Sequence, residues 1–239
     1  MLRQASISYF LSEGLKGLYE QQYPEYSSNF DVLVHPVRQR MKEDVRLSPV
    51  EWSLPVKALM IGNFNESNID ATRRIIKALG PCEDIEIAMA TQVPKSLLKV
   101  RGLNLDSVKF LGYLSEDALE EELKNADLFL LSHGFAGGYS EEEYRTIFPT
   151  RVVTYLTYEK PILAHVPENS FLADFLRGNN CASIVTEKSE HSIFLEFKSL
   201  VSDKPLRDKL ARNAKAASHQ FDSNRVVEKI IKDIASRAG

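Results

Sequence analysis

From Val56 onward the chain alternates short apolar runs with amphipathic stretches, and this alternation restricts its fold more than any other feature. The apolar runs are Val56 to Ile61, Ile85 to Ala90, Val108 to Leu111, Asp127 to Leu131, Pro161 to Val166 and Ala182 to Val185. Runs this short and apolar on both faces predict parallel strands covered by helices on two sides. The stretches between them carry helix signals. Ile69, Ile75, Ile76 and Leu79 fall near helical spacing, and Gly80-Pro81 stops that helix. Pro94 opens a short helix to Val100, and Ser115 with Glu116 and Asp117 caps one running to about Asn125. Further helices are expected from near Pro149, over Ser170 to Leu176, and through the remainder to Gly239, with breaks near Pro205 and Phe221-Asp222-Ser223. Ser132 to about Phe148, rich in Gly, Ser and Glu, reads as a loop. Right-handed crossovers then give an α/β fold: a doubly wound, Rossmann-like parallel sheet of about six strands with helices on both faces.

In such a sheet ligands lie beyond the carboxyl ends of the strands. That directs attention to Gly62-Asn63, Gly112-Tyr113, Ser132-His133 and the helix opening at Pro149-Thr150-Arg151, with Val152 in the same first turn. A helix start offers unpaired N–H groups and partial positive charge, to which Thr150 adds a hydroxyl and Arg151 a full charge. Gly62 would let backbone approach a ligand closely. Tyr113 can stack on a ring, and His133 can donate to an anion or satisfy itself within its loop. His35 and His165 also end strands, but nearby prolines point to turn roles. Glu141-Glu142-Glu143 reads as a solvated face, and Gly137-Gly138 suggests a loop mobile enough to act as a lid. No Asp-x-Asp motif is present, so nothing indicates a metal ion, and no nucleophile-base-orienter set identifies catalytic residues.

The first 55 residues do not fit this unit. Ile7 to Phe10 and Asp31 to His35 read as strands and Ser12 to Tyr23 as a helix, a piece too small for its own core. It must pack on something else, and Tyr9, Phe10, Leu15 and Leu18 would be left exposed or covered by a second copy.

Several blocks resemble a known family. Val108-Lys109-Phe110-Leu111-Gly112-Tyr113, then Asn125-Ala126-Asp127-Leu128-Phe129-Leu130-Leu131-Ser132, is similar to the donor domain of GT-B glycosyltransferases of group 1 type. Phe148-Pro149-Thr150-Arg151-Val152-Val153-Thr154-Tyr155-Leu156, running into Glu159-Lys160-Pro161-Ile162-Leu163-Ala164, resembles the family's Pro, hydroxyl, base, Tyr-Leu, Gly-Lys-Pro pattern. Phe10 to Leu15 with Tyr23, and Val32 to Pro36, resemble the last helix and linking strand before that domain; Phe221-Asp222 to Ile234 resembles the helix that crosses back. The resemblance implies three parts: a remnant of the acceptor domain and linker over 1–55, the donor domain over 56–220 and a crossing helix over 221–239. It implies a nucleoside diphosphate sugar as donor substrate, bound at Gly62, Asn63, Gly112, Tyr113, His133, Thr150, Arg151 and Val152, with main-chain base contacts at Gly112-Tyr113. It implies no separate cofactor and a leaving diphosphate stabilised by protein groups without a metal. Two departures stand out. Asn63 replaces the usual arginine, and Thr146 and Thr154 stand where a Glu-x7-Glu pair often grips the sugar and ribose.

Composition narrows the alternatives. A formal net charge of -3 provides no overall basic field, so nucleic acid is not an expected partner. Cys82 and Cys181 lie in no metal-ligand spacing, suggesting reduced core thiols and a cytoplasmic location, with peripheral membrane attachment left open. No apolar run approaches the roughly 20 residues that span a bilayer. The expected function is a glycosyltransferase donor domain, completed by an N-terminal domain or partner subunit, with a homodimer through residues 1–55 as a further option. The alternative is a non-catalytic relative acting as an adaptor or pseudoenzyme subunit. A sugar-nucleotide epimerase is the weakest reading, since no acid-base set is evident.

Overall fold

The structure is a computed structural model that describes residues 2–37 and 51–237, so positions 38–50 of the expected linker lie outside the described residues. The chain begins with a small parallel pair, β1 (Ser8–Phe10) and β2 (Phe30–Val32), joined through helix α1 (Glu13–Gln22). The main unit then follows in strict alternation: β3 (Val56–Ile61), α2 (Ile69–Leu79), β4 (Ile85–Ala90), α3 (Lys95–Val100), β5 (Val108–Gly112), α4 (Glu116–Asn125) and β6 (Leu128–Ser132). After β6 come α5 (Glu141–Thr146), α6 (Thr150–Thr157), β7 (Ile162–His165), α7 (Phe171–Gly178), β8 (Ser183–Val185), α8 (Glu190–Ser202), α9 (Lys204–Ser218) and α10 (Ser223–Arg237).

The six strands β3 to β8 form one all-parallel sheet in the order β5-β4-β3-β6-β7-β8. The chain therefore reverses its winding direction between β3 and β6, and a crevice opens beyond the carboxyl ends of the strands at that switch point. Side chains alternate across the sheet. Ala58 and Met60 of β3 join one core with α2 and α8, while Leu59 and Ile61 join the other with α6 and α7. Both faces are covered, as the doubly apolar strands predicted.

The helix caps follow the sequence closely. Ser115 accepts from the Ala118 amide and Ser170 from the Ala173 amide, each satisfying a first-turn donor. Two expectations need correction. The stretch read as a loop from Ser132 to Phe148 contains α5, whose Ser140 and Glu143 form a reciprocal capping box. The second N-terminal strand ends at Val32 rather than His35, because its partner β1 ends at Phe10, just before Ser12 caps α1.

The N-terminal pair is bound to the opposite end of the chain. Tyr9 donates to Asp233 at 2.8 Å, and Lys229 of α10 bridges Asp31 and Asp233. Of the four apolar side chains expected on its surface, Phe10 is buried and Tyr9, Leu15 and Leu18 are half-buried. Exposed apolar side chains in these two end segments include Leu11 and Tyr23, and Val227, Ile231 and Ile234 of α10.

Two buried polar side chains tie the layers together. Tyr155 of α6 is fully buried and stacks on Phe129; its hydroxyl accepts from the Ile61 amide at 2.9 Å and faces the Leu130 carbonyl at 3.5 Å. His165, at the end of β7, accepts from Arg74 at 2.8 Å and pairs with the Val185 carbonyl at 3.0 Å. This places the proton on Nδ1 of a neutral ring, and makes His165 a buried brace between α2 and β8 rather than a turn residue.

Replacing Tyr155 by Phe strands the Ile61 amide and is expected to lower unfolding free energy by about 1–3 kcal/mol, read from urea transitions. His165 gives a second test. Burial lowers its pKa to about 4, so below the unfolded value of about 6.5 the unfolded chain binds the proton and the folded chain does not. Stability contributed by the neutral ring is therefore present above about pH 6.5 and lost as pH falls toward 4. Urea midpoints should decline across that window, and a level profile would show that the ring charges within the fold.

Candidate functional site

A cavity of about 610 Å³ lies beyond the carboxyl ends of β3, β4 and β5, bounded by the start of α6 and by His35–Val37 from the N-terminal segment. Its floor is set by β3 and α6 together. Tyr155 holds the Ile61 amide, which brings the next residue, Gly62, under the first turn of α6. Gly62 has φ +120, and a Cβ there would lie 3.1 Å from a guanidinium nitrogen of Arg151. Glycine is required twice over at this position, for its backbone angle and for the approach of the arginine.

Arg151 brings a guanidinium to the cavity, whose lining also carries the carboxylate of Glu116. Its guanidinium donates to the Ser132 carbonyl at the end of β6. No carboxylate pairs with it among the described residues, and burial lowers its pKa. A half-buried cation with a carbonyl as its partner keeps its attraction for an anion. Thr150 precedes it at the opening of α6, a helix with no side-chain cap on its first turn, so backbone donors and helix dipole add to the same positive end.

The loop from Gly62 to Asn68 supplies the opposite wall, and its hydrogen bonds are one-sided. Five successive carbonyls are each held by protein donors: Asn63 by the Asn68 side chain at 3.2 Å, Phe64 by Arg101 at 2.7 Å, Asn65 by the amides of Asn68 and Ile69, Glu66 by Tyr144 at 2.7 Å and Ser67 by the Gly134 amide at 2.7 Å. The amides of Asn63, Phe64, Asn65 and Glu66 have no protein acceptor among the described residues. Asn68 begins α2 but does not cap it, and its buried Oδ1 has no partner among the described residues.

The residues singled out from sequence divide into two groups. Gly62, Asn63, Tyr113, Thr150 and Arg151 all line the cavity, with Tyr113 on the rim at 77% exposure and its ring available for stacking. Three others do not. The Gly112 carbonyl is taken by the Thr91 amide at 2.8 Å, which removes it as a free main-chain contact. Val152 is fully buried in the core, and its amide donates to the Pro149 carbonyl. His133 is buried away from the cavity; its Nε2 lies 2.6 Å from the Tyr144 carbonyl and must donate there, and burial lowers its pKa to about 4. Sequence reasoning missed Ser67, Asn68 and Gln92, which line the cavity beside Thr154. Asn68, directly before the apolar face of α2, carried the signal of a cap, not of a ligand contact.

Among the described residues no group of three His, Cys, Asp or Glu side chains is placed to hold a metal ion. No described helix is long and apolar enough to cross a membrane.

The comparisons with known proteins agree with this architecture. The family model for glycosyl transferases group 1 matches residues 94–217, more than half of the chain. No curated protein matches the sequence. Among solved structures, a glycosyltransferase from Rickettsia africae superposes with a TM-score of 0.72 at 12% identity, covering 98% of this chain and 64% of that one. Anabaena HepE, solved in complex with UDP, gives 0.71 at 15% identity, covering 98% and 65%. Sucrose-phosphate synthase from Thermosynechococcus elongatus gives 0.69 at 11% identity, covering 98% and 59%. The chain thus spans less than two thirds of the length of each of these structures. It belongs to the glycosyl transferases of group 1, and its six-stranded parallel sheet matches the GT-B fold of that family.

Proposed function

We propose that the cavity binds a nucleoside diphosphate sugar and that the protein transfers the sugar when the rest of a two-domain GT-B enzyme is present. The observation that carries this reading is Arg151, a half-buried cation without a carboxylate partner among the described residues, facing an anion-sized space beside a helix start. The diphosphate would rest between the first turn of α6 and the amides of the Gly62–Asn68 loop, with the base toward Tyr113 and Gln92 on the rim. HepE holds UDP in its own structure, which supports a nucleotide of this class.

The chemistry follows from charge. Transfer breaks the bond between the anomeric carbon and a phosphate oxygen, and negative charge grows on the departing diphosphate. Fixed donors and a positive charge already aimed at that oxygen stabilise the transition state more than the ground state. Arg151, Thr150 and the loop amides supply those donors from this chain. The acceptor and any base that activates it would belong to the remaining portion, for which Leu11 and the exposed Val227, Ile231 and Ile234 of α10 offer apolar contact surface. A second copy docking on the same face is the competing arrangement.

One observation favours the second reading, a non-catalytic relative used as an adaptor. Thr146 does not reach the cavity lining; its hydroxyl donates to the Glu142 carbonyl within α5. Only Thr154 of that pair faces the cavity. Sugar binding without the two carboxylates would be looser, and the surface could serve protein contact instead.

Isothermal titration with UDP, GDP and their sugars separates the two. Arg151→Met should weaken nucleotide binding about tenfold or more, since a charge-assisted hydrogen bond is worth about 1.5–3 kcal/mol. The same change should leave folding stability equal or higher, because a desolvated charge is replaced by an apolar chain of similar length. Unchanged affinity in the variant would hand the case to the adaptor, and absence of binding by folded wild-type chain at millimolar nucleotide would end the donor reading.

A further inference from the structure

The segment between β6 and α6 is built around one side chain, Tyr144 of α5. Its ring is buried, edge-on to His133 at 6.3 Å and to Tyr139 at 5.9 Å. Its own carbonyl takes the His133 Nε2 proton, and its hydroxyl donates to the Glu66 carbonyl at 2.7 Å. Two glycines make room for it. A Cβ on Gly134 would fall 2.7 Å from the tyrosine ring and equally close to the Ser67 carbonyl; one on Gly137 would fall 2.5 Å from the tyrosine hydroxyl. Gly137, of the Gly137-Gly138 pair read from sequence as part of a lid, admits the close contact with the Tyr144 hydroxyl.

The contact has a consequence through peptide geometry. A peptide unit is planar, so fixing a carbonyl also fixes the direction of the N–H that follows it. The carbonyls of Asn63, Phe64 and Asn65 are held from within the loop, α2 and Arg101. Those of Glu66 and Ser67 are held by the β6–α5 segment, through the Tyr144 hydroxyl and the Gly134 amide. The amides of these last two planes, Ser67 and Asn68, donate to Asn65 within the loop, so the planes are pinned between Asn65 and that segment, and the amides of Asn63 to Glu66 lie on the planes just before them.

We infer that Tyr144 is a positioning residue, holding the Gly62–Asn68 loop in the orientation that receives the donor phosphates; the inference rests on the proposed nucleotide site. It touches no reacting group. Its effect is preorganisation, since a loop free to rotate its peptides would have to be ordered at each binding event. The same helix is steadied from the N-terminal segment, where Ser12 donates to the Thr146 carbonyl at 3.3 Å.

Hydrogen exchange read by mass spectrometry on the full chain without nucleotide tests this, using Tyr144→Phe and Gly137→Ala. The first removes only the hydroxyl, and the second displaces it without altering the tyrosine. Both variants should speed exchange in a peptide covering residues 62–68 about three- to tenfold, beyond any change in a control peptide covering β7. UDP affinity should fall by a similar factor, and restoring Tyr at 144 or Gly at 137 should restore both readouts. Loop exchange that follows the control peptide overturns the inference, as does faster loop exchange with undiminished UDP affinity. If wild-type chain takes no UDP while the variants still loosen the loop, the donor reading falls and control of the loop by Tyr144 stands.

Discussion

A half-buried guanidinium that pairs with a backbone carbonyl and with no carboxylate among the described residues is an expensive thing to keep in a fold. Arg151 is kept so because three other features converge on it. The sheet reverses direction between β3 and β6, which leaves room above their ends. Tyr155, one turn further along α6, is locked against the Ile61 amide and Phe129, so the helix cannot slide along the sheet. Gly62 has no side chain to block the approach. Change any of these and the arginine either reaches bulk water or loses its place over the crevice. Its electrostatic strength depends on both conditions, because a charge at the same point in water would be worth several-fold less.

The loop opposite follows a complementary logic. Backbone donors are weak individually and are useful to an anion only when several point one way. Here the carbonyls of five successive residues are consumed by protein donors, and the amides of the first four residues are left without protein acceptors among the described residues. The donors come from α2, from Arg101 and from the β6–α5 segment, so the loop is braced from three directions. A backbone cradle with one arginine across from it can serve a diphosphate where an arginine on the loop itself would otherwise supply the charge.

Much of this was legible from the residues, for identifiable reasons. Strands such as Leu128–Ser132 are buried on both faces, so local composition and final environment agree. Serine caps at 115 and 170 are local interactions that need no tertiary knowledge. What escaped was decided by distant contacts. Helix α5 hid within a Gly, Ser and Glu-rich run because its single buried residue, Tyr144, finds its partners at Glu66 and His133. His133 and His165 sit at strand ends as ligand-binding histidines do, yet both rings are buried, His165 bonded through both nitrogens and His133 through Nε2 to the Tyr144 carbonyl. Glu159 stands where the resembling pattern has glycine, and its φ of +51 shows why glycine suits that corner. A sequence displays residue types at such sites but not which neighbour claims each polar atom.

The N-terminal segment alters how the site itself should be understood. It was expected to be a fragment leaning on a complete domain, yet Pro36 and Val37 form part of the cavity wall. Val37 is buried, and its amide is fixed by the Phe221 carbonyl where α9 gives way to α10. Phe221 stacks in turn on Phe148, directly before the opening of α6, and Phe148 packs against Phe171 and Phe175 of α7. The aromatic cluster thus joins the two chain ends to the helix that carries Arg151. Apolar contacts of this kind are non-directional but close-packed, so a shift at one member is felt by the others. The cavity is therefore a junction between the N-terminal segment, the sheet and the C-terminal helices. A shift at Phe221, between α9 and α10, has a packed route to the start of α6.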